Sequence, residues 1–447
     1  MPYMKRKLPS SLASFVSFTF LVAACAAPPD ETSSAGSEVG AGSHLPLASS
    51  LPAQCATAEI ARIERPVASD GTAGGKWRYG YRYRPAEPGM PVLVYLPGGP
   101  GQASTDSPPP WLPSGWGYLL TDPRGVGCNT LEDVPDAATS SAFFRSSEIA
   151  ADVVAAIDHE ALTRYIVAGI SYGTLLGKRV VSAIEDRRLP PPLAVVLEGV
   201  VGKAFALSGE QMVGAEMIRQ WERARAVLPA DVLAELDTSE APYGIAAEGW
   251  SRFLTAFMPT STATVAGLVA GLSRALPGVT EEQRAARLAL IRQLGEAHPL
   301  TQPGEVEMYR QIACREIDEM VPASDLDVVF VGGHLVRNVA EDHTKCGALT
   351  LTDPWDSSRF PFTSKAYFFL GTDDVATPLW QGNHAFEHHR GPSLRVVTGG
   401  GGHNSLSFNQ RPCATGVWSS IAAGGADLPA VLATCPLPVE LTTGPLR

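Results

Sequence analysis

Several features that would fix the class of this chain at once are missing from it. There is no excess of positive charge: 35 Lys and Arg stand against 46 Asp and Glu, a formal net charge of −11. An acidic surface argues against nucleic acid or anionic lipid as a partner. There is no comfortable membrane span, because the N-terminal apolar run from Leu12 to Ala24 is too short for one. None of the seven cysteines has C-x-x-C spacing, and no H-E-x-x-H is present, so the usual zinc and redox signatures are missing. No internal repeat is visible, which argues against a solenoid.

What is present begins with an address. Lys5, Arg6 and Lys7 form a positive n-region ahead of that short apolar run, and residues 1–24 read as a signal peptide. The run ends Leu21-Val22-Ala23-Ala24-Cys25, which resembles the lipobox of bacterial lipoproteins. That resemblance implies cleavage before Cys25, lipids on that cysteine, and a membrane contact made only through this anchor. The alternative is an ordinary secretory signal with Cys25 removed or incidental. Both make the protein exported. Residues 25–50 are rich in Ala, Pro, Ser and Gly and read as a flexible tether. Without the three basic residues the charge is −14, since residues 1–24 hold no acid. Six cysteines remain (55, 128, 314, 346, 413 and 435), an even number that suits disulfides in an exported protein. Six allow fifteen pairings, and spacing does not choose among them.

The stretch Tyr165 to Gly177 organises the rest. Tyr165, Ile166 and Val167 suit a buried parallel strand, and a helical pattern starts at Thr174. Between them lies Gly169-Ile170-Ser171-Tyr172-Gly173, a G-x-S-x-G turn in the strand-to-helix setting of a nucleophile elbow. Glycine supplies 43 of the 447 residues, so the pattern alone says little and its setting carries the weight. A Cβ at 169 or 173 is expected to strike neighbouring backbone.

Further buried strands are expected at Pro91–Leu96, Gly117–Thr121, Leu193–Leu197, Lys365–Leu370 and Leu394–Thr398, and helix around Glu148–Ile157. From about Val201 to Lys345 helical patterns dominate, as in Met212–Val227 and Glu281–Leu294. The organisation expected is a core in two parts, residues 51–200 and 346–447, with a helical cap at 201–345. The fold class is α/β, an α/β-hydrolase fold with a mostly parallel central sheet, helices on both faces and the inserted cap.

A serine hydroxyl needs a base, and the base needs a carboxylate to orient it. The order Ser, acid, His is met by Ser171, Asp374 at a strand end and His403 after the next strand. Asp373 is the rival acid. His384, His388 and His389 compete for the base but fall within an expected helix; for His384 and His388, at helical spacing, an exposed helix face is a better explanation than a metal. The glycine-rich turn Pro97-Gly98-Gly99-Pro100-Gly101 lets backbone N–H groups approach a ligand.

Leu96-Pro97-Gly98-Gly99-Pro100-Gly101, Asp122-Pro123-Arg124-Gly125-Val126-Gly127, Gly169-Ile170-Ser171-Tyr172-Gly173-Thr174, Asp374-x-x-Thr377-Pro378 and Gly402-His403 occur in the order found in prolyl iminopeptidases and tripeptidyl aminopeptidases. The chain resembles these serine exopeptidases over roughly residues 52–440. The resemblance implies Ser171 as nucleophile, Asp374 as orienting acid and His403 as base. It implies an oxyanion hole from the N–H groups of Gly99 and Tyr172, buttressed by the Asp122–Arg124 turn, and disulfides Cys55–Cys128, Cys314–Cys346 and Cys413–Cys435. The substrate implied is a peptide with a free N-terminus, and no metal or organic cofactor is expected. Its ammonium group needs a carboxylate partner in a water-poor pocket. Relatives are similar in using acidic cap residues, and Glu316 is the first candidate here, Glu198 the second. Four glycines precede His403 and asparagine follows it, a departure from the usual Gly-His-Gly. A carboxylesterase with the same triad is the other enzymatic reading, and a catalytically dead binding protein the non-enzymatic one.

Overall fold

The computed structural model describes residues 44–444 apart from 58, 205–212, 238–241, 246–249, 251–259, 274–277, 297–302, 318–328, 332–333 and 337–348. The expected signal peptide and Cys25 lie outside the described residues.

Short runs of β-branched and aromatic residues with no room for polar groups make strands buried on both faces. The strands are β1 (His44–Leu45), β2 (Ile60–Pro66), β3 (Lys76–Arg84), β4 (Val92–Leu96), β5 (Gly117–Thr121), β6 (Tyr165–Ile170) and β7 (Ala194–Glu198), of which β5, β6 and β7 are buried throughout. A small antiparallel pair, β8 (Val329–Val331) and β9 (His334–Val336), stands apart. The main sheet resumes with β10 (Ala366–Gly371), β11 (Ser393–Thr398) and β12 (Val439–Thr443). Its ten strands run β2-β3-β5-β4-β6-β7-β10-β11-β12, with β1 on part of the β3 edge. β5, β4, β6, β7, β10 and β11 are mutually parallel, and the antiparallel pairs lie towards the two edges. Six parallel strands in this order, preceded by antiparallel ones, are the α/β-hydrolase sheet.

Alternation along the central strands supplies two cores. Val94, Leu96, Val167, Val195, Leu197, Phe368 and Leu370 face one way. They pack on α1 (Ala137–Phe143), α2 (Ser146–His159) and α3 (Tyr172–Asp186), which carry Phe143, Val153, Leu175 and Val180. Leu93, Ile166, Ala168, Val196, Tyr367 and Phe369 face the other way, against Trp418 and Ile421 of the helix Arg411–Ala422. Trp111 stacks on Trp418 with ring centroids 4.5 Å apart. Each large side chain buried this way contributes about 1.5–3 kcal/mol, so a one-residue slip of any central strand would exchange the two cores and lose both.

Between β7 and β10 come α4 (Val213–Val227), α5 (Ala230–Asp237), α6 (Thr262–Ala270), α7 (Glu281–Glu296) and α8 (Pro303–Ile312). This region divides in two. Trp221, Val232, Leu236, Trp250, Val265 and Leu272 form a cluster of their own, joined by Val375 from the β10 loop. Met308, Ile312 and Ile317 belong instead to the main core. The last part of the expected cap is therefore packed as core, because its apolar stripe covers α1 rather than the other cap helices. The tether also ends earlier than residue 50: Leu45 is buried and β1 pairs with Lys76 and Trp77. Disulfides join Cys55 to Cys128 and Cys413 to Cys435. Cys314 is also disulfide-bonded, and its expected partner Cys346 lies outside the described residues.

Candidate active site

Ser171 sits between β6 and α3 with φ 55° and ψ −125°, a conformation unfavourable for a residue with a Cβ. The surrounding backbone holds it there. Its N–H donates to Glu198 O at 2.9 Å and its own carbonyl accepts from Thr174 N at 2.8 Å. The glycines do the work expected of them: a Cβ on Gly169 would lie 2.2 Å from Gly173 O, and one on Gly173 2.1 Å from Leu96 O. Either substitution would push β4, β6 and α3 apart.

Asp374 and His403 come from the loops after β10 and β11 and meet behind the elbow. His403 Nδ1 lies 2.9 Å from Asp374 Oδ2, with both residues buried, at 8% and 4% exposure. The other Asp374 oxygen accepts from Ala376 N and Thr377 N, each at 2.9 Å, and Thr377 Oγ1 donates to Oδ2 at 2.7 Å. Burial alone would depress the imidazole. The Asp374 charge, its hydrogen bond and the Glu198 charge outweigh burial and hold His403 above the ordinary histidine range. A Cβ on Gly199 would lie 2.7 Å from the His403 ring, so Gly199, next to the residue that bonds Ser171, is the surface against which the base rests. Ser171 and His403 therefore share one support, the end of β7.

Asp373, the rival acid, points elsewhere. Its carboxylate accepts from Thr262 N at the start of α6 at 3.0 Å, and its carbonyl accepts from Gln220 of α4 at 2.8 Å. It fastens the cap to the acid loop. His384 pairs with Asp356 at 2.9 Å, and His389 is buried against Phe362 and Phe368, which lowers its imidazole to about 4 by desolvation. Neither they nor His388 reach the Asp374–His403 pair, and no metal-binding cluster exists among the described residues.

The glycine-rich turn lies against Ser171: a Cβ on Gly98 would be 3.1 Å from Ser171 Cβ. Gly99 and Gly101 both have φ +108°. The Gly99 and Tyr172 N–H groups donate to no protein acceptor among the described residues. Asp122 holds the far side of the turn through Ser104 N (2.7 Å), Thr105 N (3.0 Å), Thr105 Oγ1 (2.5 Å) and Cys128 N (2.9 Å). Arg124 is fully buried, paired with Asp152 and donating to the Val67 and Phe143 carbonyls. Both residues are architecture.

The two acids expected to bind a substrate ammonium are committed elsewhere. Glu316 is 4% exposed and accepts from Ser146 N at 2.9 Å and from Ser146 Oγ, which places it on the N-terminus of α2. Arg179 approaches it at 3.4 Å. Its carboxylate caps a core helix. Glu198 is 2% exposed, and its Oε1 accepts from Leu406 N, Ser407 N and Ser407 Oγ at 2.7, 2.8 and 3.2 Å. Both expectations are corrected: each acid is buried, both Glu316 oxygens accept from Ser146, and Glu198 Oε1 accepts from the His403 loop. Sequence reasoning missed Asn409, whose Oδ1 accepts from Gly402 N at 2.8 Å and whose Nδ2 donates to Thr260 O of the cap at 3.3 Å. No local signal marks it, since a lone asparagine after a histidine loop is commonplace.

No family model and no curated protein matches the chain. Solved structures similar to it include a proline iminopeptidase of Mycobacterium smegmatis, at 17% identity and TM-score 0.41, covering 83% of this chain and 100% of that one. An alpha/beta hydrolase enzyme from a Medee basin deep-sea metagenome library is similar at 12% identity and TM-score 0.42, covering 78% and 94%. A meta-cleavage product hydrolase of Pseudomonas fluorescens is similar at 16% identity and TM-score 0.40, covering 77% and 95%. The sheet order and the elbow make the chain an α/β-hydrolase by fold.

Proposed function

We propose that the protein is an exported serine aminopeptidase that releases short N-terminal units from peptides through an acyl-enzyme. The observation that carries the hydrolytic reading is the buried 2.9 Å contact between His403 and Asp374, resting on the same end of β7 that bonds a serine held at positive φ. In this reading Ser171 Oγ attacks the scissile carbonyl carbon and His403 takes its proton. The Asp374 carboxylate holds the imidazole in position and stabilises its charged form. The carbonyl oxygen, now negative, is received by the Gly99 and Tyr172 N–H groups. His403 then gives the proton to the leaving amine, and a water activated by the same histidine splits the acyl-enzyme. Export rests on the N-terminal pattern, with lipids on Cys25 as the anchor.

Peptidase specificity rests on the motif order from Leu96 to His403. The carboxylesterase reading gains from the commitment of Glu316 and Glu198, which removes the two acids expected to pair with an ammonium group. A panel of aminoacyl and tripeptidyl p-nitroanilides, each with free and N-acetylated amine, and of short p-nitrophenyl esters separates the two. The free-amine anilides are expected to turn over at least tenfold faster than their acetylated forms. Equal turnover of both forms, or turnover of esters alone, would leave the esterase.

A further inference from the structure

The end of β7 carries an unusual load. The Glu198 carbonyl receives the Ser171 N–H at 2.9 Å. Its carboxylate, turned the other way, receives the N–H groups of Leu406 and Ser407, three and four residues beyond His403. Gly199, the next residue, touches the His403 ring itself. One residue thus ties the nucleophile to the loop that bears the base. A neutral side chain could make the same hydrogen bonds. Instead the structure places a second carboxylate, almost fully buried, within electrostatic reach of His403.

We propose that Glu198 is a positioning residue for the reaction, which anchors the His403 loop to the nucleophile strand and brings a second carboxylate to bear on the imidazole. The inference rests on Ser171, Asp374 and His403 working as a triad. The groups facing His403 are Asp374 from the β10 loop, Thr377 and Glu198. Those facing Glu198 are His403 and the Tyr95 phenol of β4, which burial and the Glu198 charge keep protonated. Desolvation pushes the Glu198 carboxyl up to about 7, against the pull of the two N–H groups and of His403. Glu198 and His403 therefore titrate together. An imidazolium formed during attack draws Glu198 to its ionised form, and the ionised form in turn favours the imidazolium.

The sign is fixed by that coupling. A negative neighbour raises the affinity of His403 for a proton, so neutralising Glu198 lowers it. The acid limb of any reaction needing neutral His403 then moves to lower pH. The charge that stabilised the imidazolium is also lost, and the maximal rate falls by about tenfold.

The test uses a fluorophosphonate, which reports attack by Ser171 without knowledge of the natural substrate. Second-order labelling rates of the full-length mature protein are measured from pH 5 to 9 for wild type, Glu198→Gln and Glu198→Asp. Gln keeps an acceptor for Leu406 and Ser407 and removes the charge. It is expected to shift the acid limb down and slow labelling. Asp keeps the charge but draws the carboxylate back by one methylene. It is expected to slow labelling with the acid limb near that of wild type, and it carries the test if the Gln variant does not fold. A wild-type acid limb and rate in Glu198→Gln overturns the charge role, and a wild-type rate in Glu198→Asp overturns the anchor. Ser171→Ala separates the two levels. If it labels as well as wild type, or wild type does not label, the triad reading fails and the proposal with it; if only the Glu198 variants behave as wild type, the proposal alone fails.

Discussion

Lys178 lies on α3, seven residues beyond the nucleophile, and is fully buried. Its Nζ bonds no group among the described residues and sits 5.8 Å from the centroid of the Phe362 ring. Burial lowers this ammonium group to about 7, with the Asp356 charge opposing the shift only in part. Between that value and the ordinary 10.5, the unfolded chain binds a proton that the native protein does not. Stability must therefore rise with pH across this window, at about 1.4 kcal/mol per pH unit. At pH 7.5 the native state carries a cost of about 4 kcal/mol from this residue, and at pH 9.5 only about 1 kcal/mol. Lys178→Met keeps most of the volume and the contact with Phe362 and removes the amine. Urea unfolding of both proteins at the two pH values reads the effect, because other titrations are common to both and cancel in the difference. The variant is expected to be more stable by about 4 kcal/mol at pH 7.5, with the gap closing to about 1 kcal/mol at pH 9.5. A variant no more stable than wild type at pH 7.5, or a gap equal at both pH values, would refute the reasoning.

Two further outcomes follow from the site. Ser171→Ala and His403→Ala are expected to lower turnover of any accepted chromogenic substrate by about 10⁴–10⁶-fold, and Asp374→Asn by less but still severely, with far-UV circular dichroism unchanged. Asp373→Ala removes the acceptor for an otherwise orphaned N–H at the start of α6 and should loosen the cap. It is expected to cost about 0.5–2 kcal/mol in unfolding measurements and to raise KM while sparing the fluorophosphonate labelling rate; a labelling rate depressed as far as that of Asp374→Asn would show that the acid has been misassigned.

The parallel strands were legible because burial on both faces leaves a continuous apolar run with nothing to confuse it. Gly117–Thr121 is the strand expected, and Pro91–Leu96, Leu193–Leu197, Lys365–Leu370 and Leu394–Thr398 differ from the observed strands only at their ends. Two of the edge elements were not legible. β12 is half exposed and antiparallel, with alternation too weak to separate it from a tail. β1 is two residues long and exists through its neighbour β3 alone. The cap was legible as helical, but its division was not. Whether the apolar stripe of α8 meets other cap helices or α1 depends on where the chain returns, and nothing in Pro303–Ile312 records that.

The acids show the same limit in sharper form. The contacts of Asp374 are largely local: two of its donors are Ala376 and Thr377, two and three residues downstream. Glu316 was readable only as a carboxylate among apolar neighbours, and Glu198 only as one at the end of a core strand. Ser146, which fills Glu316, is 170 positions away, and Leu406, which fills Glu198, is 208 positions away. A carboxylate with its oxygens free and one with them filled look alike in sequence when the donors come from so far. Yet they differ by the whole cost of an unpaired buried charge. The residue type fixes that a partner must exist, and only the fold decides whether it is a substrate or the protein. Lys178 is the case in which the fold supplies almost none, which is why its removal, rather than that of any acid, is expected to stabilise the chain.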